Sequence, residues 1–456
     1  MPRQPDLLPR SKTPTIAIAD NHRLVQIADT LDWDELQQRV QQIRLSKLKN
    51  AAGQPPHLRA TLGAMVLMAT RKLTYREAED LIQYYAPARY LCGLTESNWT
   101  PDFTTIQDFT ELMGQDGIKL INQYVVGLAV KKKVADPCTL VADTTAQEAA
   151  IPYPNEMGLM AGFLRSVTSA ARRVGGALKE FVHTTASLFD AARQKAREYR
   201  LFAKSKEKKD HIMGQMVTLV EKLNGALGGA LKAATAQPRK LRGRAIVATN
   251  KLTQLQQTMR TLVPQIRYWI RTGFVASGKI ISLHIPQLYS IVRGKIGKSV
   301  EFGLNWGITR LRGGYLLATL ARDRLELQDT KFALRAVEDH IKLFQKAPRA
   351  YAYDRGGYST HNVAALRKLG VKDVGLAPRG RTRWAVSNTV RDRLVKERAL
   401  VEAGIGTIKS ARYGFNRPAA RSERMMGACG QRAVMGFNVN KLVRELAGRK
   451  KIMLSG

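Results

Sequence analysis

The period of the apolar positions changes several times along this chain, and the changes mark its elements. From Asp32 to about Val130 the pattern is helical. Leu58–Lys72 is a strong apolar helix following Pro55-Pro56, and Thr74-x-x-Glu77 has the form of a capping box opening a helix through Gln83. A further helix is expected over Phe103–Met113, with Asp102 as its N-cap. Three short helices with brief turns fit a helix-turn-helix, and equally the hairpins of any helical domain. Cys138–Asp143 then reads as a short buried strand ending on a carboxylate. A long helical stretch covers about 160–272, interrupted by the Gly/Ala-rich segment Gly225–Ala234. Beyond it four strands are expected, at Lys279–Ile285, Leu288–Arg293, Ser299–Thr309 and Tyr315–Ala321. The remainder alternates: helix Ala333–Phe344, strand Ala350–Tyr353 ending on Asp354, strand Val371–Leu376, then helices over about 389–412 and 421–446.

With the long helical block set aside, this is the element order of an α/β domain with a ribonuclease-H-like mixed sheet. The expected organisation is a basic, Pro-rich arm (1–30), a helical N-terminal DNA-binding domain (31–134), the catalytic domain (135–159 and 273–446), and a tail (447–456). The basic helical insertion (160–272) follows the first strand.

Charge sharpens this picture. Lys and Arg number 74 against 37 Asp and Glu, a net +37 in 456 residues. Such an excess repels itself when compact and calls for a polyanion, nucleic acid before an anionic membrane. Residues 160–272 carry 22 Lys and Arg against six acidic residues. No apolar run reaches the ~18–20 residues that a membrane span needs. Met1-Pro-Arg-Gln-Pro is followed by no apolar signal core, so a cytoplasmic protein is expected. The three cysteines, Cys92, Cys138 and Cys429, are too dispersed for a disulfide scaffold or a zinc finger and read as buried thiols.

Two strands ending on Asp143 and Asp354, with Glu402 on a later helix, form a candidate three-carboxylate metal site. Phosphodiester chemistry by two metals needs hard oxygen ligands from separate elements, with positions left open for water and substrate. Around Glu402 the spacing is Arg398-x3-Glu402-x6-Lys409, with Arg412 three residues on. At 100° per residue these four positions fall within about 80°, on one stripe. The plain alternative is a solvated i, i+4 ion pair. Gly404 and Gly406 on the same helix would suit the close approach of a DNA backbone. Glu301 reads as a strand residue facing the site, a salt-bridge partner before a fourth carboxylate, and His361 is the one histidine near a candidate carboxylate.

An ordered set of segments resembles the bacterial insertion-sequence DDE transposases, whose last acidic residue lies in a Tyr-x2-Arg-x3-Glu-x6-Lys helix. The segments are Leu73-Thr-Tyr-Arg-Glu77 to Pro101-Asp-Phe-Thr-Thr105, Leu140-Val-Ala-Asp-Thr-Thr145 and Ile151-Pro-Tyr-Pro154. Ile291-Val-Arg-Gly-Lys295, Val300-Glu-Phe-Gly303 and Tyr353-Asp-Arg-Gly-Gly-Tyr-Ser359 follow. The Glu402 helix and Phe437-Asn-Val-Asn-Lys-Leu442 complete the set. The resemblance implies a catalytic triad of Asp143, Asp354 and Glu402 holding two Mg²⁺ ions, with Mn²⁺ as an alternative. Arg398 and Lys409 would be its catalytic basic partners. The signature Tyr is replaced by Val395.

It further implies cleavage and joining of double-stranded DNA at the terminal inverted repeats of its own element and at target DNA. A homodimer would form in the synaptic complex, in a bacterial, nucleoid-associated setting without a membrane. Expected DNA contacts are Arg398, Lys409 and Arg412 and, from the basic charge of the insertion, which the resemblance does not cover, Arg193, Lys195, Arg197 and Arg200. Two other readings stay open: an inactive or repurposed DNA-binding relative, and a ribonuclease-H-like nuclease without strand transfer. A tyrosine recombinase is disfavoured, because no Arg…His-x-x-Arg…Tyr constellation lies near the C-terminus.

Overall fold

The computed structural model describes residues 18–47, 57–174, 178–236, 243–295, 298–321, 326–378, 380 and 382–455. Two units emerge. One comprises residues 1–145, 306–418 and 424–456, the other 146–305 with 419–423.

The first unit opens with six helices: α1 (Arg23–Thr30), α2 (Trp33–Lys47), α3 (Leu58–Arg71), α4 (Tyr75–Tyr84), α5 (Ala86–Cys92) and α6 (Phe103–Lys131). α1 corrects the expected arm. Leu24, Ile27 and Ala28 repeat at helical spacing and are buried, and the His22 side chain accepts the Leu24 amide at the cap. Residues 1–17 of that arm, and Pro55-Pro56, lie outside the described residues. The capping box forms as expected, with Thr74 and Glu77 each taking the other's backbone N–H. Asp102 caps α6, which kinks at Gly114, where φ is 59°. Only Cys92 is a buried thiol; Cys138 is exposed and Cys429 half-buried.

The sheet has the strands β1 (Asp136–Glu148), β2 (Tyr289–Lys295), β3 (Lys298–Arg312), β4 (Leu316–Leu320), β5 (Ala350–Tyr353) and β6 (Asp373–Leu376). Their order is β2-β3-β1-β5-β6, with β4 also paired to β3. β5 runs parallel to both β1 and β6, while β3 is antiparallel to β2 and β4, so the sheet is mixed. Helices α12 (Asp329–Phe344), α13 (Thr360–Lys368) and α14 (Asn388–Lys409) alternate with the last strands.

The last helix, α15 (Glu423–Ser455), includes most of the expected 447–456 tail. It joins sheet and N-terminal helices through the Asn-Val-Asn segment. Asn438, fully buried, receives the Leu316 amide at 3.0 Å and donates to Asn122 Oδ1 at 2.7 Å. Asn440 donates to the Thr70 carbonyl and accepts from Arg23. A Cβ at Gly436 would collide with the Ala69 carbonyl, so the α15–α3 contact requires glycine there.

The second unit packs α7 (Glu156–Val174), α8 (Lys179–Thr184), α9 (Ala186–Phe202), α10 (Lys206–Thr235) and α11 (Arg244–Thr272) around its own apolar core. Gly225–Ala234 does not interrupt the helix. α10 runs through it, because Leu227, Leu231 and Ala234 keep one buried face. The strand expected at Lys279–Ile285 is also absent. Ile280 and Leu283 are apolar because they pack on the helical core, and the backbone there is irregular.

Candidate active site

The first unit brings carboxylates from three other elements, Asp354, Glu402 and Asp329, into electrostatic reach of Asp143. Asp143 lies within β1, not at its end, since the strand continues to Glu148. Asp354 directly follows β5 and caps a 3-10 turn (Arg355–Gly357), accepting the Gly356 amide at 2.9 Å. β1 and β5 pair in parallel with Val141 opposite Ala352. Carried two residues further, that register sets Asp143 beside Asp354.

Glu402 comes from α14, which buries Leu394, Val401, Ile405 and Ile408. An ion pair of 2.6 Å between Arg310 of β3 and Glu397 holds this helix in place, with both side chains largely buried. Arg398 and Glu402 approach to 4.0 Å and are 37% and 63% exposed, respectively. Both are therefore open to a ligand while sitting on a fixed helix.

Asp329, at the start of α12, was not a candidate from the sequence. Its Oδ1 accepts from Thr144 Oγ1 at 3.2 Å and from the Tyr353 hydroxyl at 3.0 Å. The two donors are the neighbours of Asp143 and Asp354 in the chain. Gly356 belongs to the same contact, since a Cβ there would strike the Asp329 carboxylate. An acidic residue in a first helical turn reads in sequence only as a dipole partner, which explains the omission.

Asp143 and Asp354 feel their acidic neighbours. The Asp143 pKa is pushed up to about 6, first by burial, then by the charges of Asp354, Glu402 and Asp329, against the opposing hydrogen bond from the Thr144 amide. Asp354 is also raised, by burial and then by Asp329, while the Gly356 amide and Arg398 oppose the shift. Burial raises the Tyr353 hydroxyl as well, and Asp329 adds to it. Among the described residues, the fully buried Tyr351 hydroxyl finds no hydrogen-bond partner. A cavity of about 490 Å³ opens beside Asp354, with Arg355, Trp384, Val395 and Arg398 in its lining.

Among the described residues, no three His, Cys, Asp or Glu side chains are gathered tightly enough to hold a metal ion by themselves. The donor set nevertheless suits Mg²⁺, a hard ion that keeps several waters and takes one or two carboxylates rather than a full protein cage. Beyond burial, the charge repulsion from neighbouring carboxylates is the part of these shifts that added positive charge would relieve.

Other expectations changed. α14 ends at Lys409, so Arg412 lies beyond the helix, its guanidinium 5.6 Å from the Tyr413 ring centre, and does not share the helical stripe. Gly404 serves protein packing, its Cβ position facing Leu316, while Gly406 faces open space. Glu301 lies opposite Ile291 in the β2–β3 pair, and His361 is exposed on α13. Arg193, Lys195, Arg197 and Arg200 all lie on α9 of the second unit. Lys195 is held by Glu198 at 2.9 Å.

Residues 15–112 match the family model described as Transposase domain (DUF772). This span covers α1 to α5 and α6 almost to its Gly114 kink. The match supports a transposase role in general, and with it DNA as a general partner. No curated protein and no solved structure matches the chain. Among the described residues, no helix is long and apolar enough to cross a membrane.

Proposed function

We propose that the chain is a DDE transposase of an insertion sequence, cleaving DNA at the ends of its element and joining them to target DNA. The observation that carries this reading is that Asp354 and Glu402, 211 and 259 residues further along the chain, both come within electrostatic reach of Asp143. The strand neighbours β4-β3-β1-β5-β6, with helices between the last strands, support a ribonuclease-H-like core. The transposase-domain match over the N-terminal helices supports the biological role.

In this reading Asp143, Asp354 and Glu402 would share two Mg²⁺ ions, with Mn²⁺ as substitute, each ion taking one or two carboxylates and keeping its other positions for water and DNA. Bound ions of this kind polarise phosphoryl oxygens and lower the pKa of coordinated water. The chain's own residues do the rest. Arg398, on the cavity wall beside Asp354, offers a planar fork to a phosphate oxygen. Lys409 ends the same helix and would steady the strand so that attack and departure are in line. In the first step a water oxygen bonds to phosphorus, the opposite P–O bond breaks, and the departing 3′-oxygen takes up the proton that water gives up, leaving a 5′-phosphate and a 3′-hydroxyl. In joining, the freed 3′-hydroxyl takes the place of water. The inverted repeats, the target duplex and a synaptic homodimer are the partners this chemistry requires.

The test uses linear DNA bearing the sequences that flank the reading frame, incubated with the full chain and Mg²⁺. Nicks with free 3′-hydroxyl ends, followed by joined products, are expected. Cutting without joining would favour the nuclease, and binding without cutting in Mg²⁺ or Mn²⁺ the repurposed DNA-binding protein.

A further inference from the structure

We propose that the helical second unit carries a separate cleft for the phosphodiester backbone of DNA, formed between α7, α9 and the start of α10. A cavity of about 770 Å³ lies there. Its rim carries Arg165 from α7, Arg193 and Arg200 from α9, and Lys209 from α10, all exposed. Among the described residues, no carboxylate lines it.

The cations are not neutralised by the protein. Among the described residues Arg165, Arg200 and Lys209 enter no ion pair. Arg193 meets Asp190 at 3.4 Å, but both side chains are mostly exposed, and such pairs contribute little. Nearby acids are engaged elsewhere: Glu198 holds Lys195, and Glu156 holds Lys279. Asp210 and Glu156 both act electrostatically on Tyr199 in the lining, so the cleft has two acids within reach against its four cations. Four like charges around one cleft repel, and an anion relieves that repulsion.

The shape selects the anion. The volume is far larger than one phosphate and within the ~300–1,000 Å³ range of ligand sites. Leu164, Ala196, Ala203 and Tyr199 give it a part-apolar lining suited to sugar and base faces. Arg193 and Arg200 are two helical turns apart on one face, about 10 Å along the axis. That spans roughly three nucleotides of a stacked strand at ~3.4 Å each. Guanidinium forks grip phosphate oxygens in pairs. The cleft thus holds the backbone of one DNA strand without reading its sequence. This goes beyond the carboxylate chemistry and stands or falls without it.

The test is binding of the full chain to a fluorescent 30-base-pair duplex of arbitrary sequence, at several salt concentrations and without divalent metal. The triple variant R165A/R200A/K209A should bind about tenfold more weakly and lose about two to three units of salt slope, at ~0.9 per phosphate contact. A control with the same charge loss at exposed positions outside the cleft, R172A/K222A/K232A, should change both much less. Equal effects of the two triples, or none from the first, would overturn the proposal. A second measurement needs no variant: DNA should slow acetylation of Lys209 relative to Lys232 in the native chain. Equal rates would overturn it, as would protection of Lys209 by millimolar inorganic phosphate but not by DNA. Cleavage enters neither readout, so a failed transposase reading would leave this result interpretable.

Discussion

The Tyr353 hydroxyl donates to Asp329 Oδ1 at 3.0 Å, and the same oxygen accepts from Thr144 at 3.2 Å. One carboxylate at the start of α12 therefore braces the two strands that carry Asp143 and Asp354. It also places a fourth negative charge among the candidate catalytic groups, the largest charge effect on Asp354.

The brace acts through an acceptor oxygen, which an amide retains. Asp329→Ala should lower unfolding free energy by about 2 kcal/mol, because the part-buried hydroxyls of Thr144 and Tyr353 lose their acceptor. Asp329→Asn should cost less than about 1 kcal/mol. Urea unfolding of the two variants checks this. Equal losses would mean that the charge, and not the acceptor, does the holding.

Asp143 gives the fold a pH dependence whose sign follows from its raised pKa. Between pH 4 and 6 the folded carboxyl keeps a proton that the unfolded one has released, so stability falls as pH rises through this window. A shift from 3.8 to about 6, discounted for partial exposure, corresponds to a fall on the order of 2 kcal/mol. In EDTA the native chain should show this decline, and Asp143→Asn should flatten it. Parallel curves for both proteins would remove Asp143 as its cause.

Asn438 is the buried junction of α15, α6 and β4. Asn438→Ala would strip the Leu316 amide of its acceptor and leave Asn122 half-satisfied. The expected loss is about 2–4 kcal/mol, measured by denaturant midpoint at unchanged slope. A change within 0.5 kcal/mol would show that another group satisfies these atoms.

Much of this arrangement was legible because local pattern and tertiary role coincide. Ala350–Tyr353 is a short apolar run before a polar turn, and it is a strand with Asp354 at its exit. Thr74, Glu77 and Asp102 announce helix starts by chemistry that acts within four residues. The failures lie where a residue serves a distant partner. Asp329 braces strands 185 and 24 residues away, which no local spacing encodes. Ile280 and Leu283 look like a strand because they are apolar, yet their partners are helices. Gly404 suggested room for DNA, and the space is taken by Leu316. Arg412 fits the helical stripe arithmetically, but the helix stops at Lys409.

Lys409 separates a catalytic helix from a solvated one. If its ammonium holds the phosphate beside the scissile bond, Lys409→Ala should slow cleavage of pre-nicked element ends by about 100-fold or more, an effect within reach of one lost charged contact in a transition state. Affinity should hardly move. Near-normal turnover would leave α14 as a structural helix whose Arg398–Glu402 pair is ordinary surface.

The most direct measurement compares Asp354→Asn with the native chain on one labelled DNA end, recording cleavage and binding together in Mg²⁺. Asn preserves shape, and its oxygen can still take the Gly356 amide, so the local turn should persist. Cleavage should fall at least 1,000-fold, about 4 kcal/mol of lost transition-state stabilisation, with affinity changed less than threefold. Cleavage by Asp354→Asn within tenfold of native, at equal DNA occupancy, would contradict the carboxylate site.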